Sequence, residues 1–433
     1  MNSKSFAQSR LSLLGKLGPV ILILIAIAVA GAWLMGSFPG LRLGSWQIAE
    51  WLINYQAGFI RRGFVGQALY LFGGGQDLLH TLYAFTFVSY VLYCVIFLTV
   101  YCLAKIQSPK LLLMAIFIPG GILPMGMTMQ FFVRKEILFL ILFGILCLHY
   151  LWIQKATLRW RTLAIYSFYT FAIAGGVVMT LIHEGYLFMS YPLTLLLMWT
   201  LYRENISNRN MMAMSLLYAV VIPGLFLYCA QYKGDAYSAQ LIWDSISLPD
   251  RLALSSAAPY TPYGPIASLG WGLQQHFLTM YSGIYSTGGW AYWTLFLIGN
   301  TLVLSYIGLS LESLLTARNS MDHPPRYLRV VIFGFFISLS MFVVAADWGR
   351  WLAYLSNSLI LFSFTLTASP FAQTVTPRRK EGGCFSTFMG KVQKMMASPM
   401  TLLILAIYML TFRLPECCIS SKLIWFPYSF LVS

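Results

Sequence analysis

The sequence predicts an all-helical protein that crosses a membrane many times, and composition and periodicity together support this fold class. Of the 433 residues, 59% are hydrophobic and only 9% are charged, against roughly 25% charged in an average soluble chain. The mean hydropathy is +0.73. The apolar residues recur in runs of about 17–25, which is long enough for a helix to cross ~30 Å of hydrocarbon. We therefore predict a single multi-pass membrane domain over 1–433.

The hydrophobic runs predict eleven transmembrane helices. The first run follows a basic segment but is long and has no small-residue cleavage site after it, so it is expected to be a retained helix and not a signal peptide. The predicted helices cover residues 18–36, 81–104, 111–128, 136–153, 162–182, 185–202, 211–230, 290–315, 328–346, 351–369 and 399–413.

The distribution of Lys and Arg predicts a cytoplasmic N-terminus. In that orientation most of the 28 Lys and Arg fall in cytoplasmic segments, as the positive-inside rule requires. The two long loops, 37–80 and 231–289, then face outward. A protein whose elaborate loops share the outer side is predicted to act at that surface.

The positive-inside rule also explains the net charge of +15. No basic face or nucleic-acid-binding module accompanies this charge, so a nucleic-acid partner is not predicted. No metal-ligand spacing such as C-x-x-C is present. The sequence therefore predicts no metal-ligating residues, and it leaves the use of a divalent cation open. Membrane lipids are expected contacts.

Arg61 and Arg62 stand side by side between glycines in the first long loop. Two planar guanidinium groups suit a phosphate or diphosphate, because each donates paired hydrogen bonds to its oxygens. Gly58, Gly63 and Gly66 would let the backbone approach such a ligand closely. The alternative is an interfacial helix whose arginines touch lipid headgroups.

Two further cationic spots fall on the predicted outer side. Arg134 and Lys135 precede the fourth predicted span, where cations oppose the helix dipole. Arg350 follows Asp347 at i+3 in the short turn between the ninth and tenth predicted spans. The two residues can form an ion pair that merely joins the helix ends. The functional hypothesis assigns Arg134, Lys135 and Arg350 to phosphate binding.

Four residues are candidates for acid–base chemistry: Glu50, His183, Glu184 and Asp347. His183-Glu184 lies in a tight turn between two predicted spans, a depth at which ionisable groups are costly. Burial there is expected to raise the pKa of Glu184 and make it a base. For Glu50 the sequence leaves three roles open: a general base, a solvated residue or an ion-pair partner.

The loop 231–289 is rich in aromatic residues. Sugars stack their C–H faces on such rings, so this loop predicts a glycan-binding surface. An aromatic membrane belt with a folded lid is the alternative. The glycan-binding candidates are Trp243, Tyr260, Tyr263 and Trp271.

Four short motifs carry a family resemblance: GFIRRGFVG at 58–66, RKE at 134–136, HEG at 183–185 and DWGRW at 347–351. One helix, then a long outer loop with short amphipathic segments, then many helices resembles the layout of C-type glycosyltransferases. The motifs also look like those of bacterial surface-polysaccharide membrane proteins. These include O-antigen polymerases and O-antigen-modifying glucosyltransferases.

The resemblance implies a polyprenyl-phosphate- or polyprenyl-diphosphate-linked sugar as donor and a glycan as acceptor. It places the reaction on the periplasmic face of the bacterial inner membrane. In C-type enzymes a carboxylate of the first outer loop often acts as base. Here that loop holds only Glu50 and Asp77, without the usual adjacent acidic pair, so Glu184 and Asp347 remain rivals.

The resulting expectation is a glycosyltransferase or O-antigen polymerase of lipopolysaccharide biosynthesis. One alternative is a flippase or transporter of lipid-linked glycans, which should place ionisable residues along a path through the bilayer. The other alternative is a non-catalytic subunit of polysaccharide assembly. Such a subunit would tolerate alanine at any of Arg61, Arg62, His183 and Asp347.

Overall fold

The computed structural model is helical in every regular element that it describes, as the sequence predicts. Two predicted spans, 18–36 and 328–346, lie outside the described residues. The described ranges are 46–73, 78–106, 108–126, 133–204, 209–282, 289–319, 348–368, 395 and 398–412.

The helices are numbered here in chain order. A short 3-10 helix, Ala267–Gly270, lies between α12 and α13. The α-helices are α1 Trp46–Trp51, α2 Gly63–Gly73, α3 Leu78–Leu103, α4 Pro109–Phe117, α5 Ile122–Gly126, α6 Ile137–Ile153, α7 Leu158–Ile182, α8 Tyr186–Met189, α9 Tyr191–Glu204, α10 Arg209–Gln231, α11 Ala236–Asp244, α12 Leu248–Leu254, α13 Leu273–Met280, α14 Gly289–Asn319, α15 Trp348–Leu366 and α16 Pro399–Thr411.

Among the described residues, three helices are long and apolar enough to cross a membrane. These spans are Thr81–Leu103 in α3, Arg159–Ile182 in α7 and Arg209–Gln231 in α10. Shorter apolar stretches accompany them at Gly63–Gly73, Pro109–Met125, Ile137–Ile153, Thr294–Gly308 and Pro399–Thr411. The helical fold class is confirmed for the described residues, and the count of eleven spans stays a prediction.

Helix α6 forms the centre of the bundle. Its sequence is apolar all round, which is the pattern of a helix buried on every side. Helices α3, α7 and α15 pack around it, and Phe139, Phe143 and Leu146 are fully enclosed. The residues that begin α6 therefore lie at the end of the most buried element of the fold.

The predicted span 111–128 is not one helix. It breaks between α4 and α5, where Pro119 cannot donate a backbone hydrogen bond and Gly120 has a φ of +74°. Asn300 donates to the carbonyl of Pro119 at 3.0 Å, and Asn357 donates to that of Gly120 at 2.7 Å. Buried side chains thus satisfy the carbonyls that the break exposes.

The two long loops pack against each other. Asn54 Nδ2 donates to Ser245 Oγ at 2.8 Å. The backbone N–H of Arg61 donates to the Tyr232 carbonyl at 3.0 Å. Asp250 Oδ2 accepts from the N–H of Leu78 at 3.2 Å. These bonds fix the Arg61–Arg62 segment against the end of α10.

Candidate functional site

Charged side chains from five separate segments meet in what we call the charged cluster. They come from α1, the turn before α2, the start of α6, the turn after α7 and the first turn of α15. Asp347 lies outside the described residues. The members of the charged cluster are Glu50, Arg61, Arg62, Arg134, Lys135, Glu136, His183, Glu184 and Arg350.

Close backbone packing sets the direction of the two adjacent arginines. A Cβ at Gly66 would lie 2.7 Å from the Trp51 carbonyl oxygen, so α2 can cross the end of α1 only with glycine there. Arg62 adopts a left-handed backbone with φ +68°, and Gly58 precedes it at φ +91°. The absence of a side chain at Gly66 therefore allows the neighbouring backbone to approach closely, and not the ligand that the sequence suggested.

Glu50 is the centre of the buried part of the cluster. Its Oε1 lies 3.2 Å from Arg62 Nη1, and its Oε2 lies 3.3 Å from Arg134 Nη1 and 3.5 Å from Arg350 Nη1. Burial alone would raise the pKa of Glu50. The hydrogen bond from His183 and the charges of Arg350 and Arg62 outweigh burial and hold that pKa well below its usual value.

His183 is oriented by the chain that follows it. The backbone N–H of Gly185 donates to His183 Nδ1 at 2.9 Å, so Nδ1 carries no proton and the ring proton of the neutral imidazole is on Nε2. Nε2 lies 3.2 Å from Glu50 Oε1 and 3.9 Å from Glu136 Oε1. In this arrangement His183 Nε2 faces the carboxylates of Glu50 and Glu136.

The cluster reaches the surface at three residues, which we call its opening: Arg61, Arg62 and Glu184. Their side chains are 21%, 24% and 16% exposed. Arg62 contacts the Glu184 carboxylate through Nε at 2.9 Å and Nη2 at 2.5 Å, and Arg61 Nη1 lies 3.3 Å from it. The other members are buried.

The expectation that Glu184 has a raised pKa is wrong for this state. Burial does favour the neutral acid, and it is the largest single influence on the group. The charges of Arg62 and Arg61 together outweigh burial, so the pKa of Glu184 lies well below its usual value. Sequence alone placed Glu184 in a buried turn but could not show which cations would meet it.

Cations outnumber carboxylates in the cluster. Burial lowers the pKa of Lys135 to about 8, which leaves the ammonium mostly protonated at neutral pH. Among the described residues, the five cationic members of the cluster therefore face three carboxylates. Cationic groups in a largely buried site are costly unless anions compensate them.

A group of four aromatic side chains, which we call the aromatic rim, borders the opening. Phe59 packs against Tyr55, Tyr228 and Tyr232, with ring centroids 5.5, 5.7 and 5.1 Å apart. Phe59 and the two α10-end tyrosines remain partly exposed. Sequence reasoning missed this rim, although the position of Phe59 two residues before Arg61 was a signal.

The glycan-binding candidates of the long loop differ in accessibility. Trp243 is fully buried and donates its indole N–H to the Pro259 carbonyl at 2.7 Å, so its ring faces are enclosed. Tyr260 is exposed, Tyr263 is half-buried, and Trp271 packs against Trp46 with a centroid distance of 5.9 Å.

The described residues of the charged cluster lack a metal-ligating arrangement. Within the described ranges, no group of three or more His, Cys, Asp and Glu has the arrangement of a metal centre. Glu50 and Glu184 are instead directed at arginines, and Glu136 Oε1 lies 3.1 Å from Arg350 Nη1.

Comparison with known protein families supports the prediction that the chain is a membrane protein. A family model described as uncharacterised membrane protein Rv1490 matches residues 8–241, which is more than half of the chain. The match includes every member of the charged cluster except Arg350. No curated protein and no solved structure matches the chain. The chain belongs to the Rv1490 family of uncharacterised membrane proteins.

Proposed function

We propose that this protein is a glycosyltransferase or O-antigen polymerase that uses a polyprenyl-phosphate- or polyprenyl-diphosphate-linked sugar. It acts at the periplasmic face of the bacterial inner membrane, in lipopolysaccharide biosynthesis. Eleven spans, a cytoplasmic N-terminus and a C-type-like layout belong to the same proposal. The observation that carries it is the charged cluster at the ends of apolar helices, with Arg61 and Arg62 at its opening.

The cations suit the leaving group of such a transfer. That leaving group is a phosphate or diphosphate. Guanidinium groups bind its oxygens in pairs, and Arg61 and Arg62 are the cations at the opening. During the transfer the bond between sugar carbon C1 and phosphate oxygen breaks, and the phosphate leaves with the electron pair. Fixed cations stabilise that developing charge.

The aromatic rim offers apolar ring faces next to the same opening. Phe59 and Tyr232 are each more than one third exposed, so a sugar or a polyprenyl chain can lie against them while its phosphate meets the arginines. Among the loop residues, Tyr260 is exposed and Tyr263 and Trp271 are half-buried, so these three remain the glycan contacts, and the buried Trp243 supports the loop from within.

The main alternative is a flippase for the same lipid-linked glycan. A transport path would place ionisable groups along the interior of the spans. Helices α3 and α6 contain no Asp, Glu, Lys or Arg, and the charged cluster lies at helix ends and in turns. This distribution favours chemistry at one surface over passage through the bilayer.

The test is a gel of surface glycans from cells that lack the protein, complemented with variants. Loss of a polymerase reduces the ladder to one repeat, whereas loss of a branching enzyme keeps the ladder and shifts its bands. We expect Arg62→Ala and Arg134→Ala to behave like the deletion. The matched control is Arg159→Ala, which removes an exposed arginine outside the cluster.

Normal glycans from Arg62→Ala and Arg134→Ala at wild-type protein levels would exclude the enzyme and favour the non-catalytic subunit. A loss of glycan with accumulation of the lipid-linked sugar on the cytoplasmic side would instead identify a flippase. In the enzyme, the lipid-linked sugar accumulates on the periplasmic side.

A further inference from the structure

The Glu184 carboxylate occupies the place that a phosphate would take. Arg62 presents Nε and Nη2 to it at 2.9 and 2.5 Å, and Arg61 Nη1 adds a contact at 3.3 Å. Paired guanidinium contacts of this kind are also the geometry in which arginine binds phosphate. An anionic substrate that arrives at the opening therefore competes directly with Glu184.

The groups around Glu184 determine what happens once it is displaced. Its Oε2 lies 4.0 Å from His183 Nδ1, but that nitrogen already accepts from the Gly185 N–H and has no proton to donate. Lys135 donates to the Arg62 carbonyl at 2.8 Å. Within the described residues, the two arginines are thus the donors that hold Glu184 ionised.

We propose that Glu184 is the general base of the transfer and that exchange with the substrate phosphate activates it. The inference rests on the proposed function. In the free protein, Glu184 is bound to Arg61 and Arg62 and is inactive. When the substrate phosphate takes both arginines, the freed carboxylate turns toward the acceptor hydroxyl.

The reaction then balances without another reactant. The acceptor oxygen forms a bond to C1 of the sugar as the bond from C1 to the phosphate oxygen breaks. The hydroxyl proton moves to a Glu184 carboxylate oxygen, and the electron pair of the broken bond stays on the phosphate held by Arg61 and Arg62. Because burial is the largest influence on the pKa of Glu184 and opposes ionisation, loss of the arginine contacts makes the carboxylate a stronger base.

The other two carboxylates of the cluster are unsuited to this role. Glu50 lies within 3.5 Å of three arginines and is almost wholly enclosed. Glu136 is fully buried at the start of α6, with Arg350 Nη1 at 3.1 Å. Only Glu184, among the carboxylates of the charged cluster, lies at the opening.

The first test measures anion affinity by calorimetry, with full-length protein in phosphatidylcholine nanodiscs and inorganic pyrophosphate as the probe. Glu184→Gln removes the competing charge, so we expect it to bind pyrophosphate about tenfold more tightly than the wild type, because more sites have free arginines. Glu184→Asp keeps the charge and should bind like the wild type. Asp244→Asn removes a carboxylate that pairs with Arg251 outside the cluster and should change nothing.

The second test follows the Glu184 carboxyl group by infrared difference spectroscopy as the pH is lowered from neutral. With pyrophosphate bound, the band of the protonated carboxyl group should appear at a higher pH than in the free wild type, and Glu184→Gln should lack this band. Thermal unfolding of each variant establishes that it is folded before either measurement.

The outcomes separate the two proposals. If the wild type binds pyrophosphate but Glu184→Gln binds it equally or more weakly, the exchange is excluded and the phosphate site stands. If Glu184→Gln binds pyrophosphate more tightly but the carboxyl band of the wild type appears at the same pH with and without pyrophosphate, Glu184 is excluded as the base. If neither protein binds pyrophosphate, the phosphate site itself is excluded and the inference fails with the proposed function.

Discussion

The ammonium group of Lys135 donates a hydrogen bond of 2.8 Å to the backbone carbonyl oxygen of Arg62. Arg62 has a φ of +68°, a left-handed conformation that costs a non-glycine residue roughly 1–2 kcal/mol. The lysine bond helps to hold this turn, and the turn directs the Arg62 side chain to Glu50 and Glu184. One cation of the cluster thus positions another.

Replacement of Lys135 by Met should therefore weaken both the fold and the site. At pH 10, where the buried amine is largely neutral, the change removes its hydrogen bond to the Arg62 carbonyl, and a loss of about 0.5–1.5 kcal/mol in the free energy of unfolding is typical of such a bond. At pH 7 the change also removes one positive charge near the opening, so pyrophosphate affinity should fall. Thermal unfolding and calorimetry in nanodiscs measure the two effects. Lys233→Met removes an exposed lysine and should leave the stability unchanged; equal stability of the two variants would contradict the role of Lys135.

The lowered pKa of Lys135 predicts a pH dependence of anion binding. Burial lowers the pKa of the folded residue to about 8, from its usual value of 10.5. As the pH rises from 7 to 9 the ammonium loses its charge, so pyrophosphate affinity should fall severalfold in the wild type and change less in Lys135→Met. Between pH 8 and 10.5 the unfolded chain retains a proton that the folded chain has released, so this residue makes the unfolding free energy rise with pH. A steeper loss of affinity in Lys135→Met than in the wild type would contradict the assignment.

Glu50 should contribute strongly to stability. Replacement by Gln leaves Arg62, Arg134 and Arg350 without their common carboxylate, and breaking a buried ion pair typically costs about 3–5 kcal/mol. We therefore expect a large fall in the thermal unfolding midpoint of Glu50→Gln in detergent. The matched control is Asp244→Asn, whose side chain is about half exposed; exposed pairs of this kind contribute about 0–1 kcal/mol.

The stabilisation by Glu50 should also disappear in acid. Its pKa in the folded protein lies well below the usual value of 4.5, so the contribution is fully present above pH 4.5 and is lost as the pH falls through the folded value. The unfolding midpoint of the wild type should approach that of Glu50→Gln over this range. A constant difference between the two proteins down to pH 3 would show that Glu50 does not act through its charge.

Part of the site was predictable because charge is rare in this chain. In a sequence with 9% charged residues, arginines on the predicted outer side stand out, and the topology alone placed Arg61, Arg134 and Arg350 together. Their pairing was not predictable. Which arginine meets Glu184, and whether His183 donates or accepts, depends on the left-handed turn at Arg62 and on the Gly185 N–H.

The fold shows the same limit. The hydrophobic runs located most described helices to within a few residues, but the run 111–128 is divided at Pro119 and the run 185–202 is divided at Ser190. Pro192 explains the second break, since proline removes a helix hydrogen bond. Trp243 was expected to be accessible but is buried, because the loop encloses it against Pro259. Phe59 was not among the candidates and is partly exposed, since composition does not show which face of a loop is buried.

Cysteine labelling tests the proposed orientation. In a background without the seven native cysteines, Tyr237→Cys lies in the exposed part of the long loop and Thr157→Cys lies in the turn between α6 and α7. A membrane-impermeant maleimide added to spheroplasts should label position 237 and should reach position 157 only after lysis. The opposite pattern would place the charged cluster on the cytoplasmic face, and the periplasmic reaction would be excluded.

A substitution at Gly185 should disturb the site through packing alone. A Cβ there would lie 2.6 Å from the ring carbon Cη2 of Trp351 and 3.0 Å from His183 Nδ1, although the φ of −58° suits alanine. Gly185→Ala must therefore displace the Trp351 ring or the imidazole, at a cost of about 1–3 kcal/mol. Movement of the imidazole takes its Nε2 away from Glu50.

The matched control for Gly185→Ala is Gly224→Ala in α10, where a Cβ meets nothing within 4 Å. Alanine in a helix should leave the unfolding midpoint unchanged or raise it, by up to about 1 kcal/mol in free energy. The thermal unfolding midpoint and the pyrophosphate affinity should both fall in Gly185→Ala. Neither should fall in Gly224→Ala. Unchanged affinity with a lowered midpoint would show that the turn after α7 supports the bundle without positioning His183.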